Sequence, residues 1–258
     1  MIVGFIGSGN MAAAMARGWA SSDSGGPEQM LFTDSGSGRA TALASEVGGK
    51  AVSSNADLVK GSDFVVLAMK PQDLAEVAES LPPPKAILSL LGATRLTDLV
   101  ERFPDSTVLR LMPNLAVEVN RGVICVAHAE EADSTVLTGA QTLLEPLGRV
   151  VELEDDHMDA ATAAMGCTPA YFAAAAAAIS GVGVSEGLQA DVANTLVAEA
   201  LAGTAALLGH RTPFEIQVAV ASPGGSTEAG LEALEAAGGA EAFRKAGEAS
   251  LRRMRGQQ

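Results

Sequence analysis

Six residues near the start, Gly7-Ser8-Gly9-Asn10-Met11-Ala12, have the spacing to hold a pyrophosphate with no reactive side chain at all. In this G-x-G-x-x-A pattern Gly7 suits a tight turn and Gly9 lets backbone come close to a phosphate. Ala12 keeps the following helix near its sheet, and the helix N-terminus offers free N–H groups and a partial positive charge. Asp34 closes the next apolar run, where an acidic residue can hold a ribose 2′-hydroxyl. Ser35, Ser37 and Arg39 follow at once and have the chemistry for a 2′-phosphate, so these residues leave NAD and NADP both open. A proton donor is harder to find. Reduction of a ketone needs one, normally Lys, His or Tyr, yet no lysine occurs between Lys85 and Lys245. His157 sits in an acidic segment, Asp155-Asp156-His157, and reads as solvated; Tyr171 has no visible partner and reads as packing. Cys167 has no positioned histidine and reads as a small packing residue.

The elements that must position these residues fall into two kinds. Ile2–Ile6 reads as a buried strand, and Ala13–Ala20 continues the glycine turn as a helix. Further apolar runs at Met30–Thr33, Phe64–Met69, Ala86–Leu91, Thr107–Met112, Val123–Ala127 and Val150–Leu153 read as strands. Helices fit Arg39–Val47, Asp73–Ser80, Thr94–Arg102 and Ala132–Leu144. Strand and helix in alternation predict an α/β fold with a doubly wound, mostly parallel sheet over residues 1–153. From 154 to 258 the pattern is helical: Glu154–Ala164, Pro169–Val182, Ser185–Leu208, Pro213–Val220, Thr227–Ala236 and Ala240–Arg255. Six successive alanines, Ala173 to Ala178, cannot anchor a helix by large side chains. That stretch implies close helix packing, either within a bundle or against another subunit.

Composition narrows the partners. Of 258 residues 48% are hydrophobic but only 3% aromatic, so the core must be aliphatic and Ala-rich. A formal net charge of −14 disfavours nucleic acid and anionic membranes. Two cysteines and three histidines show no metal-ligand spacing, so no metal is expected, and a reducing cytoplasm fits. Ala160–Ser185 carries no charge, but it is mostly Ala and Gly, is broken by Pro169, and reads as buried between protein surfaces rather than in lipid. No basic leader precedes Ile2, so no export signal is expected.

Four stretches stand in one order: Gly7–Ala12, Ala68-Met69-Lys70-Pro71-Gln72, Met112-Pro113-Asn114, and Ser222-Pro223-Gly224-Gly225-Ser226-Thr227 followed by Gly230-Leu231. Together they make the chain similar to the pyrroline-5-carboxylate reductase family over nearly its whole length, the last motif being the most specific. The resemblance implies an N-terminal Rossmann-type domain followed by an all-helical dimerisation domain, with a homodimer or higher homo-oligomer. It implies NAD(P)H-dependent reduction of the cyclic imine 1-pyrroline-5-carboxylate to proline. By position it implies that Asn55 contacts the cofactor ribose, that Ala68, Lys70 and Pro71 line the cofactor loop, that Asn114 lies near the nicotinamide, and that Thr227 bonds the substrate ring nitrogen. One departure stands out. The family's Gly-Ser-Gly-Pro-Ala-Tyr reads Gly166-Cys167-Thr168-Pro169-Ala170-Tyr171 here, which leaves room for another cyclic imine acid as substrate.

The residues agree with an imine. Its nitrogen can arrive protonated, so a site needs position, a hydrogen bond to nitrogen and a grip on the carboxylate, not a charged acid. Ser222, Gly224, Gly225, Ser226 and Thr227 can supply these from exposed backbone, a helix start and the Thr227 hydroxyl. A third reading, a regulatory NAD(P)-binding protein without turnover, runs against the intact Ser222–Thr227 stretch.

Overall fold

The computed structural model describes residues 1–256. It has two compact units, residues 1–166 with 251–256, and Cys167–Ser250.

In the first unit the apolar runs form β1 (Ile2–Ile6), β2 (Gln29–Thr33), β3 (Lys50–Ala51), β4 (Phe64–Leu67), β5 (Ala86–Ser89), β6 (Thr107–Pro113), β7 (Gly122–His128) and β8 (Gly148–Glu152). Between them run α1 (Asn10–Ala20), α2 (Arg39–Val47), α3 (Asn55–Lys60), α4 (Leu74–Ser80), α5 (Leu96–Arg102) and α6 (Ser134–Leu144). The eight strands make one sheet in the order β3-β2-β1-β4-β5-β6-β7-β8. Chain order therefore reverses between β1 and β4, the place where doubly wound sheets open a crevice for ligands.

Side chains alternate across this sheet, as the two-residue strand period requires. Phe5, Phe32, Val66, Leu88 and Leu111 belong to one buried cluster; Ile6, Leu31, Leu67, Ile87 and Val108 belong to the other. On the first face Phe5 stacks on Phe32 at 5.1 Å and meets Trp19 of α1 at 5.9 Å. The Trp19 indole N–H donates to the Leu143 carbonyl at 2.7 Å, so the lone tryptophan is satisfied inside the core.

Three features depart from the sequence pattern. The short pieces β3 and α3 carry too few residues to show a period. They form because Leu31 pairs with Lys50 and because the Ser54 side chain caps α3 by accepting the Asp57 N–H at 3.1 Å. β7 runs antiparallel to β6, since residues 114–121 are too few for a crossover. Ala93, after β5, has φ of +57°, a left-handed conformation that costs a residue with a Cβ about 1–2 kcal/mol. Ala93→Gly should remove that strain and give back part of the gain as unfolded-state entropy. The expected net result is about 0.5–1 kcal/mol more stability, read as a rise in the denaturant midpoint at constant slope.

Beyond β8 the chain forms α7 (Met158–Ala161) and a π turn (Thr162–Gly166), and then the helices of the second unit: α8 (Thr168–Ser185), α9 (Ala190–Leu208), α10 (Pro213–Val220), α11 (Ser226–Ala236) and α12 (Gly239–Met254), the last of which runs on past Ser250 into residues of the first unit. Ser185 ends a helix rather than starting one, contrary to the sequence expectation. Gly187 adopts φ of +98°, its N–H donates to the Val184 carbonyl, and the Leu188 N–H donates to the Gly183 carbonyl. This is the glycine-terminated helix stop in which two orphan carbonyls are satisfied. It lets α8 turn back and pack on α9. Little of this unit is buried: on α8 and α9 only Ser180 and Ala193 are. Val182 (65% exposed), Leu196 and Phe214 (72%) are left open. The stretches 155–185 and 190–208 are long and apolar enough to cross a membrane by length and composition.

Candidate active site

The register of the sheet sets the cofactor residues side by side. Ile6 pairs with Thr33 on one flank and with Leu67 on the other, so Gly7, Asp34 and Ala68 leave the sheet at one edge. They line a cleft of about 610 Å³ together with Ser8, Gly9, Ser35, Arg39, Asn55 and Lys70. The cleft walls also include Thr33, Ser37, Gln72 and Glu76.

Gly7 and Gly9 do different work. Gly7 has φ of +96°, and a Cβ there would sit 2.7 Å from the Ala68 and Met69 backbone. The fold itself demands that glycine. Gly9 has ordinary extended geometry, φ −81°, and its nearest neighbour to a Cβ is the Ala68 carbonyl oxygen at 3.9 Å. No close contact beyond its own chain neighbours requires a glycine there, so the backbone at this position is left open to a ligand. α1 begins with Gly9 as its cap residue, without a side-chain cap and without an acidic residue in its first turn. The N–H groups of the first turn are thus left without a side-chain cap, although Asn10 and Met11 do not line the cleft themselves.

Asp34 is a staple. Oδ1 accepts the N–H of Gly36 at 2.7 Å and of Ser37 at 3.0 Å, and Oδ2 accepts the N–H of Ala40 at 2.7 Å. The Ala40 N–H, then those of Gly36 and Ser37, hold its carboxyl below the usual range. Both oxygens are spent on the loop that carries Ser35, Ser37 and Arg39. Arg39 forms no ion pair among the described residues. Thr33, which sequence reasoning passed over, is a buried anchor: its hydroxyl donates to Asn55 Oδ1 at 2.7 Å, which leaves the Asn55 Nδ2 hydrogens as donors at the cleft wall. Its signal was a hydroxyl at the end of an apolar strand.

Besides Asn10 and Met11, two expected cofactor residues lie outside the cleft lining. Pro71 lines a neighbouring cavity with Leu74, Ala93 and Arg102. Asn114 is buried and engaged at both ends of its amide. Oδ1 accepts the Val123 N–H at 3.1 Å, and Nδ2 donates to the Met165 carbonyl at 3.3 Å. It clasps β7 to the π turn and does not line the cleft.

In the second unit, Ser222–Thr227 forms a tight turn into α11. Gly224 has φ of +71°, the Gly225 N–H donates to the Ser222 carbonyl at 2.9 Å, and Gly225 caps the helix without a side chain. The Thr227 hydroxyl makes no hydrogen bond among the described residues, and the residue is half-buried. Tyr171 is tied up: its hydroxyl lies 2.5 Å from Ser250 Oγ and 3.2 Å from the Ala246 carbonyl, on α12. It is a packing clasp between α8 and α12. Cys125 is buried, and that burial pushes its thiol pKa up, away from reactivity.

Comparison with known proteins identifies this arrangement. Residues 155–257 match the pyrroline-5-carboxylate reductase dimerisation family, and residues 2–91 match the family described as NADP oxidoreductase, coenzyme F420-dependent. A pyrroline-5-carboxylate reductase of Thermus thermophilus is 32% identical over 98% of this chain and 97% of its own length. The chain belongs to the pyrroline-5-carboxylate reductase family. A relative of the same name from Synechocystis is 31% identical over 97% of this chain and 96% of its own. The reductase of Streptococcus pyogenes superposes on this family member with a TM-score of 0.88, at 26% identity and 98% coverage of both chains. The Rossmann-type unit and the helical dimerisation unit are those of the family. The apolar surface left open on α8, α9 and α10 is accordingly that of a chain that associates with copies of itself.

Proposed function

We propose that this reductase uses NAD(P)H to reduce 1-pyrroline-5-carboxylate to proline in the cytoplasm. The observation that carries the reading is Gly9. It is a glycine for which the protein has no internal need, at the head of a helix with unpaired N–H groups, in a chain that also keeps Ser222–Thr227. The residues fit a dinucleotide: Gly7, Ser8, Gly9 and the first turn of α1 (Asn10, Met11) for the pyrophosphate, Asn55 for a ribose, Ala68 and Lys70 beside the nicotinamide half. Bound there, the reduced nicotinamide supplies hydride to the imine carbon.

The chain's own contribution lies at the substrate nitrogen and carboxylate. The Thr227 hydroxyl accepts from the protonated ring nitrogen and can donate to the lone pair that nitrogen gains on reduction. The N–H groups of Ser226 and Thr227, with the hydroxyls of Ser222 and Ser226, hold the carboxylate. No charged acid is required, in keeping with the lysine-free stretch between Lys85 and Lys245. The apolar helices 155–185 and 190–208 pack against a second copy rather than lipid.

NADPH is the preferred cofactor in this reading. With both Asp34 oxygens bonded to backbone, that carboxylate has little left for two ribose hydroxyls, while Ser35, Ser37 and Arg39, which has no ion pair among the described residues, suit a phosphate. The test is oxidation of NADPH and of NADH, followed at the nicotinamide absorbance with and without 1-pyrroline-5-carboxylate. Turnover that requires this imine is the expected outcome; cofactor binding without turnover would sink the assignment. Arg39→Ala should raise KM for NADPH about tenfold and leave KM for NADH unchanged. Equal effects on both would remove Arg39 from the 2′-phosphate.

A further inference from the structure

We propose that Glu228 is a positioning residue that holds the Ser222–Thr227 turn in its substrate-binding conformation, an inference that rests on the assignment of that turn to the substrate. Glu228 stands in the first turn of α11, and its Oε2 accepts the Gly224 N–H at 2.7 Å. The turn is therefore closed twice. One bond joins the Gly225 N–H to the Ser222 carbonyl within the turn, and the other joins Gly224 to the helix that follows. Gly225 also packs closely, since a Cβ there would sit 2.8 Å from the Ser222 carbonyl oxygen.

These two bonds decide which donors remain. The N–H groups of Gly224 and Gly225 are consumed inside the protein. Gly225 has no side chain with which to cap α11, so the N–H groups of Ser226 and Thr227 have no partner among the described residues. An incoming carboxylate meets that pair, and the adjacent hydroxyls, already aligned. Without the Glu228 bond, two successive glycines become free to explore other turns, and the cost of ordering them moves to the binding step. The effect belongs in KM, because the hydroxyl of Thr227 still reaches the ring nitrogen once the turn has closed on substrate.

The experiment compares wild type, Glu228→Ala and Glu228→Gln as full-length protein. Glutamine keeps an oxygen that can accept from Gly224 and loses only the charge. Steady-state kinetics with 1-pyrroline-5-carboxylate at saturating NADPH is paired with hydrogen exchange across residues 222–228. Glu228→Ala should raise KM for the imine about tenfold with a much smaller change in kcat, and should speed exchange at the Gly224 amide. Glu228→Gln should restore both. An unchanged KM and exchange rate in the alanine variant overturn the proposal. So does a glutamine variant as impaired as alanine, which would make charge rather than the hydrogen bond the cause. A wild type with no turnover on this imine overturns the substrate assignment itself, and the exchange comparison still decides whether Glu228 orders the turn.

Discussion

Gly9→Val should leave the fold standing and weaken NADPH binding by on the order of a hundredfold or more, the equivalent of losing two charge-assisted hydrogen bonds. The backbone at Gly9 is extended (φ −81°, ψ −173°), a conformation valine adopts readily. Apart from its immediate chain neighbours, no atom of the described residues stands closer than 3.9 Å to a Cβ at that position. In the proposed binding mode the side chain instead enters the space where the phosphate approaches the N–H groups of Asn10 and Met11. A titration followed by the fluorescence of bound NADPH gives the affinity, and a melting curve gives the stability. The control is Gly7→Ala. There the φ of +96° and the 2.7 Å approach to the Ala68–Met69 backbone predict a lower Tm as well as weaker binding. If Gly9→Val bound NADPH normally, or melted far below wild type, the division between a glycine for the fold and a glycine for the ligand would be wrong.

That division shows which parts of the molecule were legible in the sequence. The alternation of Val3, Phe5, Phe32 and Val66 against Ile6, Leu31, Val65 and Leu67 is written in the residue order, and the two faces of the sheet follow from it. The cleft residues Gly7, Ser8, Gly9, Asp34, Ser35, Arg39, Asn55, Ala68 and Lys70 follow because strand ends in register bring distant residues to one edge. Hydrogen-bond partners do not read out in the same way. Asp34 has the position of a ribose ligand, yet its carboxylate accepts the backbone N–H groups of Gly36, Ser37 and Ala40. Asn114 has a family motif around it, but its amide is committed to Val123 and Met165, a bridge over 51 residues that no local pattern encodes. The stop at Ser185 turned on one glycine, Gly187. The polar segment Ser185-Glu186-Gly187-Leu188-Gln189-Ala190-Asp191 interrupts the apolar pattern there, and the left-handed φ of Gly187 marks the end of the helix. The helical unit was legible as apolar and its partner was not. A helix that is apolar on all sides suits a bundle core and a subunit interface equally, and what separates the two is that Val182, Leu196 and Phe214 stay open in the single chain.

Thr227→Ala should lower kcat/KM for 1-pyrroline-5-carboxylate by on the order of a hundredfold, because the hydroxyl that fixes the protonated ring nitrogen in the reacting geometry is lost. The size of the effect follows from how little else the site offers. Tyr171 is bound to Ser250 and Ala246, no lysine lies between Lys85 and Lys245, and the neighbouring Ser222 and Ser226 hydroxyls are assigned to the carboxylate, so neither a free tyrosine nor a lysine stands ready to replace the hydroxyl at nitrogen. The substitution should be silent for the fold, because the Thr227 hydroxyl has no hydrogen-bond partner among the described residues to lose and alanine is the better helix former at the second position of α11. NADPH affinity should also stay at the wild-type value, since the cofactor cleft is lined by other residues. Thr227→Ser keeps the hydroxyl and should recover most of the rate, which separates a chemical role from one of shape. Measured kcat, KM, NADPH affinity and Tm for the two variants decide the matter. An alanine variant with full kcat/KM removes Thr227 from the chemistry, and a serine variant as slow as alanine makes the methyl group, not the hydroxyl, what the substrate feels.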